Sequence, residues 1–533
     1  MNKRSLHTPR LRPILLMAFL FLTMPSCDDY FDIKPVSVYS TESVFETVDF
    51  ARQAILGVYQ IMTEDPGYSK RLNMYYTVDT DLERCSGDYL DNGRRDIARY
   101  AANSGNSELD KPWINLYVGI NNANICIKHI PESPVYQSGN ENDIRAMDRM
   151  LGEARTLRAL YYFELIRNWG DVPFRTEPTG ADENLFLPKT DRDEIYDFLI
   201  NDLLEAQDLV PWRSEVPSDE RITRGAVKGL IARMALFRGG YSLRKDGGNQ
   251  RRDDYLKYYQ IARDQCLEIM QSGEHMLNTS FEDIFRTHCK RELDTKYGES
   301  MWEVGLGIYR SGEVGYYVGN RSDANSRYGK ADAGINALPT YYLSFDSLDT
   351  RRDVTVALYQ IDDQNLRLIR AFADINIAKW RREWIEPIFP GSDKYNGVNW
   401  VLLRYSDILL MFAEAENELN NGPTPEAIEA FSKVRTRAFA GNSDKMPPIP
   451  ADYQGFFNEL VQERAWEFGG EGIRKYDLIR WNLLGPALEK MREDLGKLMN
   501  GEPPYDNVPR KLVWRNQDEE YQVLNMNYIM DSV

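Results

Sequence analysis

Apolar residues recur along much of this chain at intervals of three and four. From Met147 to Trp169 they fall at Met147, Met150, Leu151, Ala154, Leu157, Tyr161, Tyr162, Leu165 and Trp169, which is the spacing of an amphipathic helix. Gly170 supplies a stop and Pro173 keeps the helix from resuming. The same period places Trp113, Leu116, Tyr117, Ile120 and Ile127 on one helical face that Pro131 closes. Thr223 is positioned to cap a helix that ends at Gly239 and Gly240. YYQIARDQCLEIMQSG, LLRYSDILLMFAEAENELNNG and PEAIEAFSKVRTRAFAG follow the same pattern, the last two joined by a short Pro-bearing turn.

Small residues sit where neighbouring helices must approach: Ala154, Ala159, Ala232, Ala235, Ala262, Ala413 and Ala430. The pattern therefore predicts a mainly α fold of tetratricopeptide-like helix pairs. The repeat is degenerate and interrupted, so long loop-rich insertions and a few short strands are expected with it. Residues 290–400 are the largest interruption; MWEVGLGIY reads as a short strand and the rest as loops. Residues 75–96 are a second loop-like stretch. Loops this long are usually functional.

The N-terminus departs from the helical pattern. Lys3, Arg4, Arg10 and Arg12 precede an apolar run from Ile14 to Met24. That run is too short to span a bilayer, which takes roughly 20 residues, and basic-then-apolar order marks a secretory signal. Ser26 then Cys27 form a relaxed lipobox. We expect cleavage after residue 26 and lipidation of Cys27, which anchors a protein to a membrane without a transmembrane helix.

Composition narrows the partners. At 42% hydrophobic and 12% aromatic, the 533-residue chain has ample material for a core. Its formal charge of −17 repels nucleic acid and anionic lipid surfaces and leaves neutral ligands open. Cys85, Cys126, Cys266 and Cys289 form no CxxC or metal spacing, and buried free thiols are expected.

The lipobox followed by DDYFDIKP, then EARTLRALYYFELIRNWGDVPF, RITRGAVKGLIARMALF, VLLRYSDILLMFAEAENELN and ERAWEFGGEGIRKYDLIRW, resembles the RagB/SusD family of Bacteroidetes outer-membrane lipoproteins. The resemblance implies a single SusD-like body over 27–533, with a helix-pair part at 27–240 and a C-terminal part at 241–533 carrying ligand loops at about 290–400. It implies a non-enzymatic role: capture of a glycan, or in some members a peptide, for a TonB-dependent SusC-like β-barrel transporter. It places the protein on the outer membrane, lipid-anchored and facing the exterior, with Asp28 and Asp29 as an export signal.

Carbohydrate chemistry suggests where such a ligand sits. Aromatic rings stack on the C–H faces of sugars, and polar side chains bond the hydroxyl edges. The candidate platform is Trp302, Tyr309, Tyr316, Tyr317 and Tyr328, with Asn320 and Arg321 as polar partners. The opposite wall would come from Tyr75, Tyr76, Asp79, Asp81, Tyr89 and Arg94. Asp79, Asp81 and Glu83 alternate as in a calcium loop, but Arg84 replaces the needed glycine; an EF-hand is excluded, no cofactor is expected, and a looser structural Ca²⁺ site stays open. Catalytic signatures are absent: no HExxH, no GxSxG beside a histidine, no phosphate-cradling glycine loop. Asp407, Glu414, Glu416 and Glu418 could serve a glycosidase, but the resemblance assigns them to structure, paired with arginines such as Arg404 or Arg435. The Arg- and acid-dense stretch 463–481 is expected to be framework. The rival readings are a protein-only tetratricopeptide-type adaptor and a surface glycosidase.

Overall fold

The computed structural model describes residues 43–180, 185–216 and 218–508; the signal segment, Cys27, Asp28 and Asp29 lie outside the described residues. From Phe45 onward the chain forms one unit. Its principal helices are α1 Val48–Thr63, α2 Ser107–Glu132, α3 Glu141–Trp169, α4 Arg192–Ala206, α5 Arg224–Arg238 and α6 Tyr255–Ser272. They continue with α7 Phe281–Lys290, α8 Tyr405–Asn420, α9 Pro425–Ala438, α10 Tyr453–Phe468, α11 Arg474–Arg480 and α12 Leu484–Asn500.

Local chemistry sets the ends. The Asn140 side chain accepts from Asn142 N and Asp143 N to open α3, and Gly170, at φ 79°, closes it. Thr223 caps α5 and Thr424 caps α9, each accepting from the backbone N–H three residues on. Proline 131 does not close α2 but sits in its last turn, which runs one residue further.

Helices pack in succession: α1 on α2, α2 on α3, then α3–α4, α4–α5, α5–α6, α6–α8 and α8–α9. This is the tetratricopeptide-like, mainly α architecture that the periodicity predicts. All seven expected alanines are fully buried. At Gly119 a Cβ would come within 2.6 Å of the Tyr161 ring, so α2 and α3 approach too closely there for any side chain. All four cysteines among the described residues are free and buried.

The interruption at 290–400 is more ordered than a set of loops. The strands of this region and of the segment it pairs with are, in chain order, β1 Glu83–Cys85, β2 Ser300–Val304, β3 Ile335–Ala337, β4 Val356–Ala357, β5 Tyr359–Ile361, β6 Arg367–Ile369, β7 Asn376–Ile377 and β8 Trp400–Arg404. One sheet has the order β1-β3-β7-β4; β2 pairs with β8 and β5 with β6, all antiparallel. Residues 402–404, expected to begin a helix, belong to β8 instead; α8 starts only at Tyr405. The VLLR stretch is buried on both sides of the chain, and such a continuous apolar run reads equally as strand or helix.

A knot of buried charge ties these parts together. Arg404 reaches Glu299 and Glu467 at 2.9 Å each and Glu471 at 2.8 Å. Arg437 joins Glu299 at 2.6 Å, and Arg351 and Arg435 share Glu463 at 2.7 and 2.9 Å. Arg464 bridges Asp407 and Asp477. Burial works against the Glu467 carboxylate, but Arg437, Arg404 and Arg351 outweigh it and hold it well below the usual range. The paired arginines and acids of 463–481 are framework, as expected. The partners of the α8 acids differ from those the resemblance suggested: Glu414 is held by Arg480 and Trp481, Glu416 by Arg263, Glu418 by Arg251, and Asp407 by Arg233 and Arg464. Arg404 instead pairs with Glu299, Glu467 and Glu471, and Arg435 with Glu459 and Glu463.

Candidate functional site

The two segments expected to wall a ligand site do meet. Strand β1 belongs to one and β3 to the other, paired with Glu83 opposite Ala337 and Cys85 opposite Ile335. Ser86 N donates to Gly334 O at 3.0 Å, and Gly334 N to Tyr317 O at 2.8 Å. Arg94 then lays its guanidinium over the Tyr317 ring, 4.9 Å from its centroid. Further along, the Tyr316 hydroxyl donates to Asp332 at 2.8 Å, Asp332 pairs with Lys330 at 3.0 Å, and Lys330 N donates to Gly391 O at 2.7 Å.

Arg382 fixes the next turn. Its guanidinium donates to the carbonyls of Tyr328 at 2.8 Å and of Phe389 and Asp393 at 3.0 Å each. Burial among carbonyls pulls its pKa down to about 10. Tyr309 stands against Phe389, ring centroids 5.0 Å apart, and is 64% exposed. Its backbone is left-handed, at φ 59°. A tyrosine gains nothing from that conformation, so the surrounding fold imposes it.

The individual assignments divide. Tyr309, Tyr89 and Arg321 are exposed; Tyr89 is 70% exposed with Arg95 over its ring at 4.7 Å. Tyr328, Arg94, Asp79 and Asp81 are half-buried. Tyr328 packs on the Ala357, Tyr359, Ile361 and Ala378 cluster. Tyr316 and Tyr317 are largely buried and present at most an edge.

Trp302 is no platform. It lies in β2, opposite Leu403 of β8, and is 1% exposed. An indole sealed in a strand buried along its whole length has no face to offer. Tyr75 and Tyr76 are also buried; the Tyr76 hydroxyl donates to Glu108 O at 3.0 Å. Asn320 is fully buried. Asp81 is forked by Arg474 at 2.9 and 2.6 Å, so its carboxylate is already engaged. Asp79 accepts from Cys85 N at 2.5 Å. Among the described residues no three metal-ligating side chains converge.

Sequence reasoning missed a concavity elsewhere in the fold. A cavity of about 780 Å³ opens between the C-terminus of α3, the start of α4, the 241–249 turn and α11. Tyr76, Tyr100, Trp169, Tyr241 and Lys475 are among its walls. Tyr100, like Asp79, adopts a left-handed backbone, at φ 58°, and its hydroxyl donates to Asp79 O at 2.9 Å. The sequence held no signal for it, because Lys475 sits inside a stretch whose other charges are framework.

Comparison with known proteins gives a consistent picture. The family model described as "SusD family" matches residues 316–529, and one described as "Starch-binding associating with outer membrane" matches residues 29–236. SusD-like protein P25 of Formosa agariphila is 26% identical, with 89% of this chain and 90% of that protein covered. The crystal structure of a SusD homologue from Bacteroides thetaiotaomicron superposes with a TM-score of 0.79 at 26% identity, covering 87% of this chain and 92% of that one. Surface glycan-binding protein A from the same species, in complex with laminarihexaose, gives a TM-score of 0.64 at 18% identity, covering 83% and 92%.

Proposed function

This chain belongs to the SusD/RagB family, and on that premise we propose that it is a surface glycan-binding protein that captures an oligosaccharide and passes it to a SusC-like TonB-dependent transporter in the outer membrane. Lipidation of Cys27 would anchor it there, facing outward. The observation that carries the reading is Tyr309: an exposed ring, backed by Phe389, held out on a left-handed backbone. A left-handed backbone is costly for a tyrosine, and stacking of the exposed ring on a sugar is a use for that cost. Tyr89, Arg94, Arg321, Lys330 and Asp332 on the same set of loops supply a further ring and hydrogen-bonding groups for hydroxyls. A relative of the same fold in complex with a glucan hexasaccharide supports the ligand class.

The test is calorimetry and affinity electrophoresis against a panel of neutral glycans, laminarin included. Binding that weakens about tenfold in Tyr309→Ala supports capture at this face. Binding that survives that change moves the site. Silence across the panel, with binding of peptides or only of the barrel protein, overturns the reading in favour of peptide capture or a protein-only adaptor.

A further inference from the structure

The 780 Å³ cavity differs from the loop face in one respect: it contains a buried cation without a counter-charge. Lys475 is 7% exposed. Its ammonium has three donors. One reaches Val78 O at 3.4 Å, a long hydrogen bond, and the ammonium stands 4.3 Å from the centroid of the Tyr100 ring. No carboxylate of the described residues pairs with it. The other charged side chains of the wall are spoken for. Arg167 holds Glu164 at 2.9 Å, Arg192 holds Asp171 at 3.1 Å, and Asp193 takes Arg244 at 2.9 Å and Arg252 at 2.8 Å. Arg480 takes Glu414 and Asp477 at 2.8 Å each.

A buried polar group short of partners is costly in an apolar setting, and folds that retain one usually have a use for it. Burial lowers the Lys475 pKa to about 8, with Asp79 pulling the other way, so the group is still mostly charged at neutral pH. The rings of Tyr76, Tyr100, Trp169 and Tyr241 surround the space.

We propose that this cavity binds the anionic unit of an acidic saccharide, its uronate carboxylate or sulfate ester pairing with Lys475 while the sugar ring lies against the aromatic wall. The proposal rests on the glycan-binding reading and sharpens its ligand class. It also qualifies the expectation from net charge. A formal charge of −17 disfavours anions at long range, but one local ammonium in a poorly solvated site selects for them at contact.

Calorimetry on the whole protein tests this with three probes: an oligogalacturonate, the same oligosaccharide after carboxyl reduction, and a sulfated oligosaccharide. Wild-type protein is expected to bind an acidic probe at least tenfold more tightly than the reduced one. Lys475→Met should erase that preference to within about twofold. Whichever acidic probe binds identifies the anion. In wild-type protein, affinity for the acidic probe should fall as pH rises through about 8 while that for the neutral probe stays flat, a readout that does not depend on the variant folding. Equal affinity for acidic and reduced probes, or a preference that survives in Lys475→Met, overturns the proposal. Neutral binding sensitive to Tyr309→Ala, with no acidic preference, would sink this proposal and leave the glycan reading standing. Failure of every saccharide would sink both.

Discussion

Around Arg404, each buried charge is met by an opposite one within 3 Å; around Lys475, at comparable depth, the ammonium finds a distant carbonyl and an aromatic ring. The knot and the cavity both draw a buried charge from the stretch 463–481, the knot through Glu467 and Glu471 and the cavity through Lys475. Their difference lies in closure. In the knot the fold supplies every counter-charge itself, so the groups serve position and register. In the cavity the fold leaves a donor unmet and leaves room beside it, and an unmet buried donor next to open space is a place for a ligand. Burial alone therefore says little about role; pairing says much.

The contrast can be broken at the knot first. Arg404→Ala strands Glu299, Glu467 and Glu471 without one guanidinium, and should cost on the order of 3–5 kcal/mol, as removal of one partner of a buried pair does. Urea unfolding would read this as a lower midpoint at unchanged slope, and a loss below about 1 kcal/mol would contradict the role given to the knot. Trp302→Ala should cost a similar ~3–5 kcal/mol through the cavity it leaves. Any effect on glycan affinity should then vanish once the folded fraction is accounted for, unlike that of an exposed ring.

Acid should distinguish the paired from the unpaired groups next. Arg464 and Arg233, against the pull of burial, hold Asp407 at about 2. Its contribution to stability is present above the unfolded carboxylate range and disappears as pH falls from about 4 to about 2. Glu83 runs the other way. Buried in β1 with one carboxylate oxygen unbonded, it is raised to about 8. It binds a proton in the folded state that the unfolded chain has released, so it lowers stability as pH rises from about 4.5 to about 8. Stability measured across pH 2–9 should show both slopes, and Glu83→Gln should flatten the upper one alone.

Smaller effects belong to the loop face. Tyr309→Ala should lower glycan affinity about tenfold, near 1.4 kcal/mol, with the unfolding midpoint unmoved. Tyr89→Ala should cost two- to threefold, because the Arg95 guanidinium already occupies one face of that ring. Equal losses for the two tyrosines would mean that the exposed ring of Tyr309 has no special place in the site.

The helices were legible in the sequence because their signals are local: apolar spacing from Met147 to Trp169, a cap at Thr223, stops at Gly170 and Gly239. The framework character of 463–481 was legible from the density of its forks. The four-stranded sheet was not, since strands of two and three residues such as Asn376–Ile377 leave no periodicity to read. Trp302 failed as a platform for a related reason. A tryptophan in a loop-rich stretch and one in a short buried strand look alike until the partner strand, 100 residues on, is placed. Lys475 was hidden because the presence of a charge is written in the sequence and the absence of its partner is not.

The antiparallel pairing of Ser300 with Arg404, beside the Glu299–Arg404 ion pair at 2.9 Å, has a consequence for descent as well as for stability. The residues between them leave the helical frame and return to it at this clasp, and are tied back on the way by Arg351 to Glu463, by Lys379 to Glu471 and by β3 to β1. Closing such an excursion grows costlier only with the logarithm of its length. The loops between these ties are therefore the exchangeable part of the segment. Lineages could lengthen, shorten or replace it, retargeting the protein to a new polymer, while the clasp and the helices behind it stay as they are.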